Sequence, residues 1–332
     1  MKTINIGTFN PETDKLPANV TFDSHIFTVN PSAEVVFTGK SDGLRRIVAQ
    51  GNDDSNVVKI TLLDASIKIE KELANKSNAA LQLGNYTALI LNLDGENHLS
   101  GAFGFAGIAV PYTTSVDISG TGELDVVGSA QNGEKSGAAI GGFAEERIGI
   151  VTISGGVVNA TGGSESAGIG GGSSGDGGEI RINGGIINAV GTGGGAGIGN
   201  GLNGKPGVVS ISGGVLTATG TPPVSAIDPA IWISEQPQDV TVPYGKGGSI
   251  TMTANISLPN TCNNTLTYQL LWYNTIDTIG LPVTAVGGEA VSIPVPTDLV
   301  AGVHAVNVSI STAGEPGPQI LSDGIKIAVN PF

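Results

Sequence analysis

The chain has 332 residues, of which 52 are glycine, 39% are hydrophobic and only 5% are aromatic. This content is too apolar for a disordered linker protein, and the glycines lack the three-residue period of collagen. The formal net charge of −14 argues against binding to nucleic acid or to anionic membranes, because both require a cationic protein face.

The N-terminus and the cysteine content bear on where the protein works. Residues 1–15, MKTINIGTFNPETDK, contain no apolar segment of the kind that marks a secretion signal. No run approaches the roughly eighteen apolar residues of a membrane-spanning helix, so we expect no membrane insertion. Cys262 is the single cysteine, so we expect a fold that does not depend on an intramolecular disulfide.

Short segments with alternating apolar residues follow residues 1–19, which we assign to an N-terminal cap or arm. VTFDSHIFTV and AEVVFTG start the pattern, and VKITLLDASIKI, LILNLDGENHLSG and VDISGTGELDVVG continue it. We place Leu62, Leu93 and Ile118 at equivalent positions of the last three segments. Their spacings of 31 and 25 residues (93−62, 118−93) are irregular, which predicts loops of varying length between repeated units.

The pattern becomes regular in three strings, GAAIGG…IVTISGGVVNATGG, SAGIGG…EIRINGGIINAVGT and GAGIGN…VVSISGGVLTATGT. Ile153, Ile182 and Ile211 are separated by 29 residues each (182−153, 211−182). A fixed period of this length indicates a solenoid. Within each unit, apolar and polar residues alternate with period two, as they do in strands with one buried face.

The glycine pairs of these strings fall between the predicted strands. We interpret them as corners, because glycine accepts a positive φ and a close backbone approach without a Cβ clash. Three short strands per turn, with no helix between them, predict an all-β parallel β-helix over residues 20–221. Six coils are anchored in this way, with one or two more toward the N-terminus, and stacked strands pair at about 4.8 Å.

This region resembles the right-handed parallel β-helix repeats of Gram-positive and Bacteroidetes surface proteins. The strings that carry the resemblance are AGIAVPYTTSVDISGTGELDVVG, AGIGGG and TISGGVVNATGG. The resemblance implies the architecture and leaves the activity open, because one fold supports many functions.

The glycine-rich repeat ends at a linker that we place at residues 222–230. Residues 231–332 contain separate strands of five to eight residues, such as SITMTANIS, LTYQLLWYN and HAVNVSIST, with turn signals between them. The segment resembles an immunoglobulin-like β-sandwich of the bacterial or phage type. Trp272 lies in the strand where that fold buries a tryptophan, whereas Ala254 and Val306 stand where its disulfide cysteines would be, and His304 replaces its corner tyrosine.

Two features of the sequence that could indicate ligand binding or catalysis, a glycine-rich motif and a pair of glutamates, are explained by their places in a corner and a loop. GNGLNGK, residues 199–205, matches part of a phosphate-binding loop, but Pro206 and a strand follow it where that loop requires a helix. The outward positions of the regular coils carry one arginine and no carboxylates, and Glu145 and Glu146 lie in a loop. Since β-helix enzymes need convergent carboxylates or a calcium cluster, we expect no catalytic, cofactor or metal site and no enzyme.

Two surfaces are candidates for binding. Aromatic residues that could contact a glycan lie in the coil region; they are Tyr86, Phe103, Phe105 and Tyr112. The second candidate is an apolar stripe of Val157, Ile186 and Val215, which point outward if the next residue in each coil points inward. Exposed apolar patches often mark interfaces, so another subunit or the C-terminal domain would cover this stripe.

The leading hypothesis is a non-catalytic structural or adhesion protein on an exterior surface. A phage virion appendage, such as a head fibre, decoration or tail-associated protein that attaches to host-surface glycans, is favoured because virions assemble without secretion. A bacterial cell-surface adhesin is the first alternative, and a β-helix polysaccharide lyase or hydrolase is the less favoured one. The expected partners are other structural proteins of the virion or cell surface, host polysaccharide, or a second copy of the chain.

Overall fold

The computed structural model describes residues 2–41, 43–51, 57–70, 78–129, 136–211, 213–221, 227–228, 231–256, 265–273, 275–312 and 319–331. Cys262 lies outside these ranges. The chain divides into two compact units, Met1–Val209 with Gly213–Asp228, and Ser210–Ser212 with Pro229–Phe332. Within the described ranges no helix is long and apolar enough to cross a membrane.

The first unit is built from short strands, in agreement with the all-β prediction. In chain order they are β1 (Lys2–Asn5), β2 (Val20–Asp23), β3 (Ile26–Val29), β4 (Glu34–Lys40), β5 (Arg46–Ala49), β6 (Val57–Lys68), β7 (Leu81–Leu83), β8 (Ala88–Asp94), β9 (Glu96–Ser100), β10 (Ile108–Ala109), β11 (Ser115–Gly120), β12 (Glu123–Val127), β13 (Ile140–Gly141), β14 (Ile150–Ile153), β15 (Val157–Thr161), β16 (Ile169–Gly170), β17 (Glu179–Ile182), β18 (Ile186–Val190), β19 (Ile198–Gly199), β20 (Val208–Ile211), β21 (Val215–Thr219) and β22 (Ile227–Asp228).

Successive turns contribute one strand each to three sheets. The first sheet runs β3-β5-β7-β10-β13-β16-β19-β22, with β2 antiparallel to β3 at its start. The second sheet runs from β1 and β4 through β6, β8, β11, β14 and β17 to β20, and the third runs from β6 through β9, β12, β15 and β18 to β21. The long strand β6 belongs to both. The pairings form a β-solenoid of about seven turns over residues 2–219, which confirms the predicted solenoid.

Columns of aliphatic side chains fill the space between the sheets. They arise because parallel pairing in register places equivalent residues of successive turns above one another. All members of two such columns are almost completely buried. The first-sheet column is Leu81, Ile108, Ile140, Ile169 and Ile198, and the second-sheet column is Ile60, Leu91, Ile118, Ile153 and Ile182.

The predicted register is wrong at one step of the irregular region. Leu62 pairs with Leu93 as expected, but Leu93 pairs with Gly120, and Ile118 pairs with Leu91. The prediction therefore placed Leu93 two residues away from its true position. Because side chains of a strand alternate with period two, a shift of two residues keeps the same face inward. Leu62 and Leu93 are therefore both buried, as predicted.

The glycine pairs form the corners between the second and third sheets, as predicted. Gly185, between β17 and β18, has a φ of +87°, and a Cβ atom there would lie 2.7 Å from the Gly156 carbonyl oxygen one turn away. A second glycine has a related role inside the first sheet, since a Cβ at Gly170 would overlap the Gly199 carbonyl oxygen. Glycine is therefore required here by backbone conformation and by close stacking.

The stack begins closer to the N-terminus than we expected. Strand β1 pairs in parallel with β4, so residues 2–5, which we had assigned to a cap or arm, take part in the second sheet. Four aromatic rings pack against one another nearby, with centroids 4.5 to 5.5 Å apart. They belong to Phe9, Phe22, Phe27 and Phe37, and Phe27 and Phe37 are fully buried.

The second unit is also all-β. Its strands are β23 (Ile231–Glu235), β24 (Val240–Pro243), β25 (Gly248–Ile256), β26 (Thr265–Trp272), β27 (Thr278–Val286), β28 (Ala290–Val295), β29 (Gly302–Thr312), β30 (Gln319–Leu321) and β31 (Ile325–Asn330). Strands β23, β25 and β28 pair in that order, while a curled sheet runs β24-β31-β29-β26-β27 with β30 beside β29.

The core of the second unit differs from the expectation for Trp272. This side chain is only half-buried, whereas Tyr268 on the same strand is fully buried. The alternation of β26 breaks near its end, because Leu270 and Leu271 are both buried. Trp272 consequently lies out of phase with the buried residues. Ala254 and Val306, at the expected cysteine positions, are fully buried.

The inward column predicts a strong effect of charge at Ile182. Ile182→Asp should unfold the solenoid, because an unpaired carboxylate in this fully buried position costs several kcal/mol. The control is Thr217→Asp, which introduces the same side chain at an exposed outward position of β21. Circular dichroism melting should show loss of the cooperative transition in the first variant only. Wild-type melting of Ile182→Asp would contradict the register.

Candidate functional site

Three loops lie side by side at the corner between the first and second sheets. They are residues 84–87 before β8, 110–114 before β11 and 142–149 before β14. The strands that follow are paired in register, Ala88 with Ser115 and Ser115 with Ile150. Because these strands are stacked, the loops from three successive turns are stacked as well, and they form the candidate site.

Backbone contacts hold the middle loop to its neighbour. Thr114 donates from its backbone nitrogen and from Oγ1 to the Pro111 carbonyl oxygen, at 2.9 and 2.7 Å. Ile150 donates to the Thr114 carbonyl at 3.0 Å, and Gly149 donates to the Val110 carbonyl at 3.1 Å. These bonds position the exposed side chains of the loop on a fixed backbone.

Tyr86 and Tyr112 project from the first and second of these loops and line one cleft of about 400 Å³. Their side chains are 51% and 59% exposed. Tyr86 has a φ of +59°, and its backbone nitrogen donates to Thr113 Oγ1 at 3.4 Å. Thr113, which is exposed, and Ser115, which is half-buried, bring hydroxyl groups to the cleft. Thr87 and Thr114 of its lining are instead buried and form hydrogen bonds with the backbone.

A second cleft of about 500 Å³ lies on the other side of Tyr112. The Arg147 guanidinium carbon lies 4.4 Å from the centroid of the Tyr112 ring, within cation–π distance. Amide groups of Gln82 and Asn85 also line this cleft, together with Glu146. Partial burial raises the pKa of the Glu146 carboxyl, against a smaller opposing effect of a hydrogen bond with the Phe143 backbone.

The structure brings together two of the four predicted glycan-contact residues. Tyr86 and Tyr112 share a cleft, whereas Phe103, 54% exposed, lines a separate one beside Lys68 and Glu70. Phe105 packs edge-on against Phe143 at 5.0 Å, and Phe143 lines the second cleft.

Sequence reasoning missed several residues of this site, namely Gln82, Asn85, Glu146 and Arg147, as binding groups. Their position in the sequence could have indicated them, because each lies in or beside the stacked corner loops.

The sequence motif GNGLNGK, residues 199–205, forms a corner between β19 and β20. In the described ranges, no cluster of three or more His, Cys, Asp or Glu side chains is placed to hold a metal ion.

The apolar stripe lies on the outer side of the third sheet. Val157 pairs with Ile186, and Ile186 with Val215. Ile186 and Val215 are 47% and 64% exposed, and Val157 is half-buried. Glu123 precedes Val157 in the same column, so the stripe is confined to the last three turns of this sheet.

An asparagine ladder runs beside the stripe. Asn188 Nδ2 donates to Asn159 Oδ1 at 2.8 Å, and Asn159 Nδ2 donates to Asp125 Oδ1 and to Glu123 Oε1, each at 2.8 Å. These bonds cross from turn to turn on the outer surface and supplement the backbone pairing.

No protein-family model, no curated protein and no solved structure matches the chain. The fold itself defines the class, an all-β protein with a β-solenoid and a C-terminal curled five-stranded sheet.

Proposed function

We propose that this chain is a non-catalytic attachment protein on an exterior surface. We propose further that it binds a glycan at the two clefts that Tyr112 lines, called the Tyr112 clefts below, the first of which Tyr86 also lines. The observation that carries the proposal is the convergence of two exposed tyrosines from successive turns on one cleft. A sugar ring has apolar C–H faces and hydroxyl edges. A site that binds it requires an apolar or aromatic platform with a few placed polar groups.

The remaining groups of the two clefts suit this chemistry. The hydroxyls of exposed Thr113 and half-buried Ser115 can donate to and accept from sugar hydroxyls, and the amide of Asn85 offers both functions as well. Arg147 adds a guanidinium group, which is positively charged at neutral pH and acts only as a hydrogen-bond donor. Because Tyr112 lines both clefts, adjacent sugar units of one chain could occupy them together.

The solenoid favours attachment because it presents the loops on a rigid support. Binding sites are more effective when the contacting side chains are held by packed elements. Here the strands on both sides of each loop are paired with the turns before and after. Little ordering of the protein is then required on binding, which favours affinity.

We place the protein on the exterior of a phage virion, with the bacterial cell surface as the alternative. The resemblance of its repeats to bacterial surface proteins supports an exterior location and is equally compatible with both settings. An antibody raised against the purified chain should label intact phage particles from its source. Labelling of intact bacterial cells instead would favour the alternative.

The handedness of the solenoid and the fold of the second unit are also proposals. Parallel strands joined by crossover connections are right-handed in nearly all known cases, so we infer a right-handed β-helix. We also infer that the second unit is an immunoglobulin-like domain. The support is its strand order: β25 pairs with β23 and β28, and β29 pairs with β26 and β31, as strands B and F pair with their neighbours in that fold.

One observation favours a second candidate, a polysaccharide lyase or hydrolase. A raised pKa is a property of general acids in such enzymes, and partial burial raises the pKa of Glu146 beside Arg147. Glycoside hydrolysis ordinarily uses a pair of carboxylates, and Glu146 is the single carboxylate among the described residues that line this cleft. Attachment is therefore the better-supported function.

The apolar stripe supplies a candidate contact with another subunit or a structural partner. Covering Val157, Ile186 and Val215 would remove about 200–300 Å² of apolar surface from water, worth up to about 5–7 kcal/mol. The loss of translational and rotational freedom on association offsets much of this. A stable contact must therefore extend beyond the stripe, and the asparagine ladder beside it is the adjacent polar surface.

Truncation of Tyr112 should abolish glycan attachment. Tyr112→Ala should weaken binding at least about tenfold, because it removes an aromatic surface from both clefts. Pull-down of the purified protein with pectin, alginate, xylan and peptidoglycan measures the effect. Phe103→Ala is the matched control, since Phe103 is similarly exposed but lines another cleft. Equal retention of both variants, or no binding to any of the four polymers by the wild type, would contradict the proposal.

The purified chain should leave the same four polymers uncut, with or without calcium. Reducing ends and unsaturated products are the quantities to measure over a long incubation. Product release that disappears in Glu146→Gln, while Glu145→Gln retains it, would establish the enzyme instead.

Removal of the stripe's apolar character should change assembly. The triple variant Val157→Thr, Ile186→Thr and Val215→Thr keeps β-branched side chains while exposing hydroxyls. We expect a smaller species in sedimentation velocity, or weaker capture by the structural partner, with unchanged circular dichroism. Thr161→Ser on the same outer face is the control. Identical assembly of the triple variant and the wild type would show that the stripe is ordinary surface.

A further inference from the structure

A cleft of about 500 Å³ in the second unit has no part in the function proposed above. It lies where the end of β26, the start of β27 and the loop of residues 296–301 between β28 and β29 meet. All of its lining residues belong to the second unit.

An aromatic pair forms one side of the cleft. The Trp272 and His304 rings have centroids 5.6 Å apart and an interplanar angle of 53°. His304 Nε2 lies 2.8 Å from the Val300 carbonyl oxygen. A carbonyl can only accept, so Nε2 carries a hydrogen and donates it to Val300.

The backbone around Trp272 is fixed. Its nitrogen donates to the Asp277 carbonyl at 3.0 Å, and its own carbonyl accepts from the backbone nitrogen and Oγ1 of Thr275, each at 3.0 Å. The half-buried indole therefore projects from a closed hairpin turn. An aromatic face held in this way can stack on a ligand at a small cost in ordering.

The opposite wall is apolar and closely packed. Gly280 has a φ of +66°, and a Cβ atom there would lie 3.0 Å from Pro296 Cγ. The absence of a side chain at Gly280 lets the proline ring close this wall. Ile279 and Leu299, which also line the cleft, are buried.

The rim of the cleft carries acceptors. Asp298 and Thr278 line it and are exposed, and no lysine or arginine stands among the described lining residues. The site therefore offers hydrogen-bond acceptors to hydroxyl donors and disfavours anions.

We propose that this cleft is a second sugar-binding site, which takes a neutral pyranose. The C–H face of the sugar would stack on the Trp272 indole, while its hydroxyls donate to the Asp298 carboxylate and exchange hydrogen bonds with Thr278 Oγ1. The site differs from the second Tyr112 cleft, which contains Arg147 together with Glu146, because its described lining has the carboxylate of Asp298 and no arginine or lysine.

Intrinsic fluorescence can test this inference directly, because Trp232 and Trp272 are the two tryptophans of the chain. The full chain carrying Trp232→Phe makes Trp272 the reporter. Methyl α-mannoside, methyl β-galactoside, N-acetylglucosamine and glucuronate are the probes. We expect saturable change with at least one of the three neutral sugars and none with glucuronate. Asp298→Asn should weaken that binding at least fivefold, and Tyr112→Ala should leave it unchanged.

Absence of saturable binding by all three neutral probes, or equal binding of glucuronate, would overturn the proposal. So would a Tyr112→Ala variant that lost the response, because the site would then not be in this cleft. If Trp232→Phe fails to fold, saturation-transfer NMR with Tyr112→Ala and with the double variant Tyr112→Ala, Trp272→Leu supplies the same comparison, because the Tyr112 clefts are then disabled in both. Transfer to a neutral sugar that is unchanged by Trp272→Leu in this background would exclude the cleft.

Discussion

In the solenoid, each strand forms its backbone hydrogen bonds with the equivalent strands one turn before and one turn after it. The separation of about 4.8 Å between paired strands also sets the distance between stacked side chains. Since a turn has no sheet partner within itself, it is stable only inside the stack. The buried isoleucine columns, the glycine corners and the two tyrosines that share a cleft all follow from this pairing. The pairing also stacks Glu96 on Glu123 and Glu123 on Val157, where the apolar stripe begins.

The sequence predicts the solenoid best where its repeats are regular. A period of 29 residues aligns Ile153 with Ile182, and the structure pairs them. Where the corner loops vary in length, an aligned apolar residue can be shifted by two positions without leaving the core, and Leu93 was misplaced in this way. Composition and periodicity carry no information about such a shift, because both registers bury the same face. The stacking of β1 on β4 was missed because no repeat connects them.

The register error did not hide the two tyrosines. The predicted offset of 25 residues aligns Tyr86 with Pro111 and the observed offset of 27 residues places it beside Thr113, and both positions are next to Tyr112. The polar groups of the second cleft were not predicted, because they lie in or beside corner loops that the repeat does not align. In the second unit, the break in alternation at Leu270 and Leu271 moved Trp272 out of the core. A one-residue break of this kind depends on tertiary packing, so the period-two pattern could not predict it.

The corner loops differ in length while the strands on either side keep their register. Residues 84–87, 110–114 and 142–149 occupy equivalent positions of three successive turns, yet Ala88, Ser115 and Ile150 remain paired. The core therefore places little restriction on the length of these loops, although it buries some residues of each, such as Thr87, Val110 and Ile148. A lineage could replace one loop and change the recognised ligand without altering the folding of its neighbours. The same separation makes this corner a suitable position for grafting foreign recognition loops.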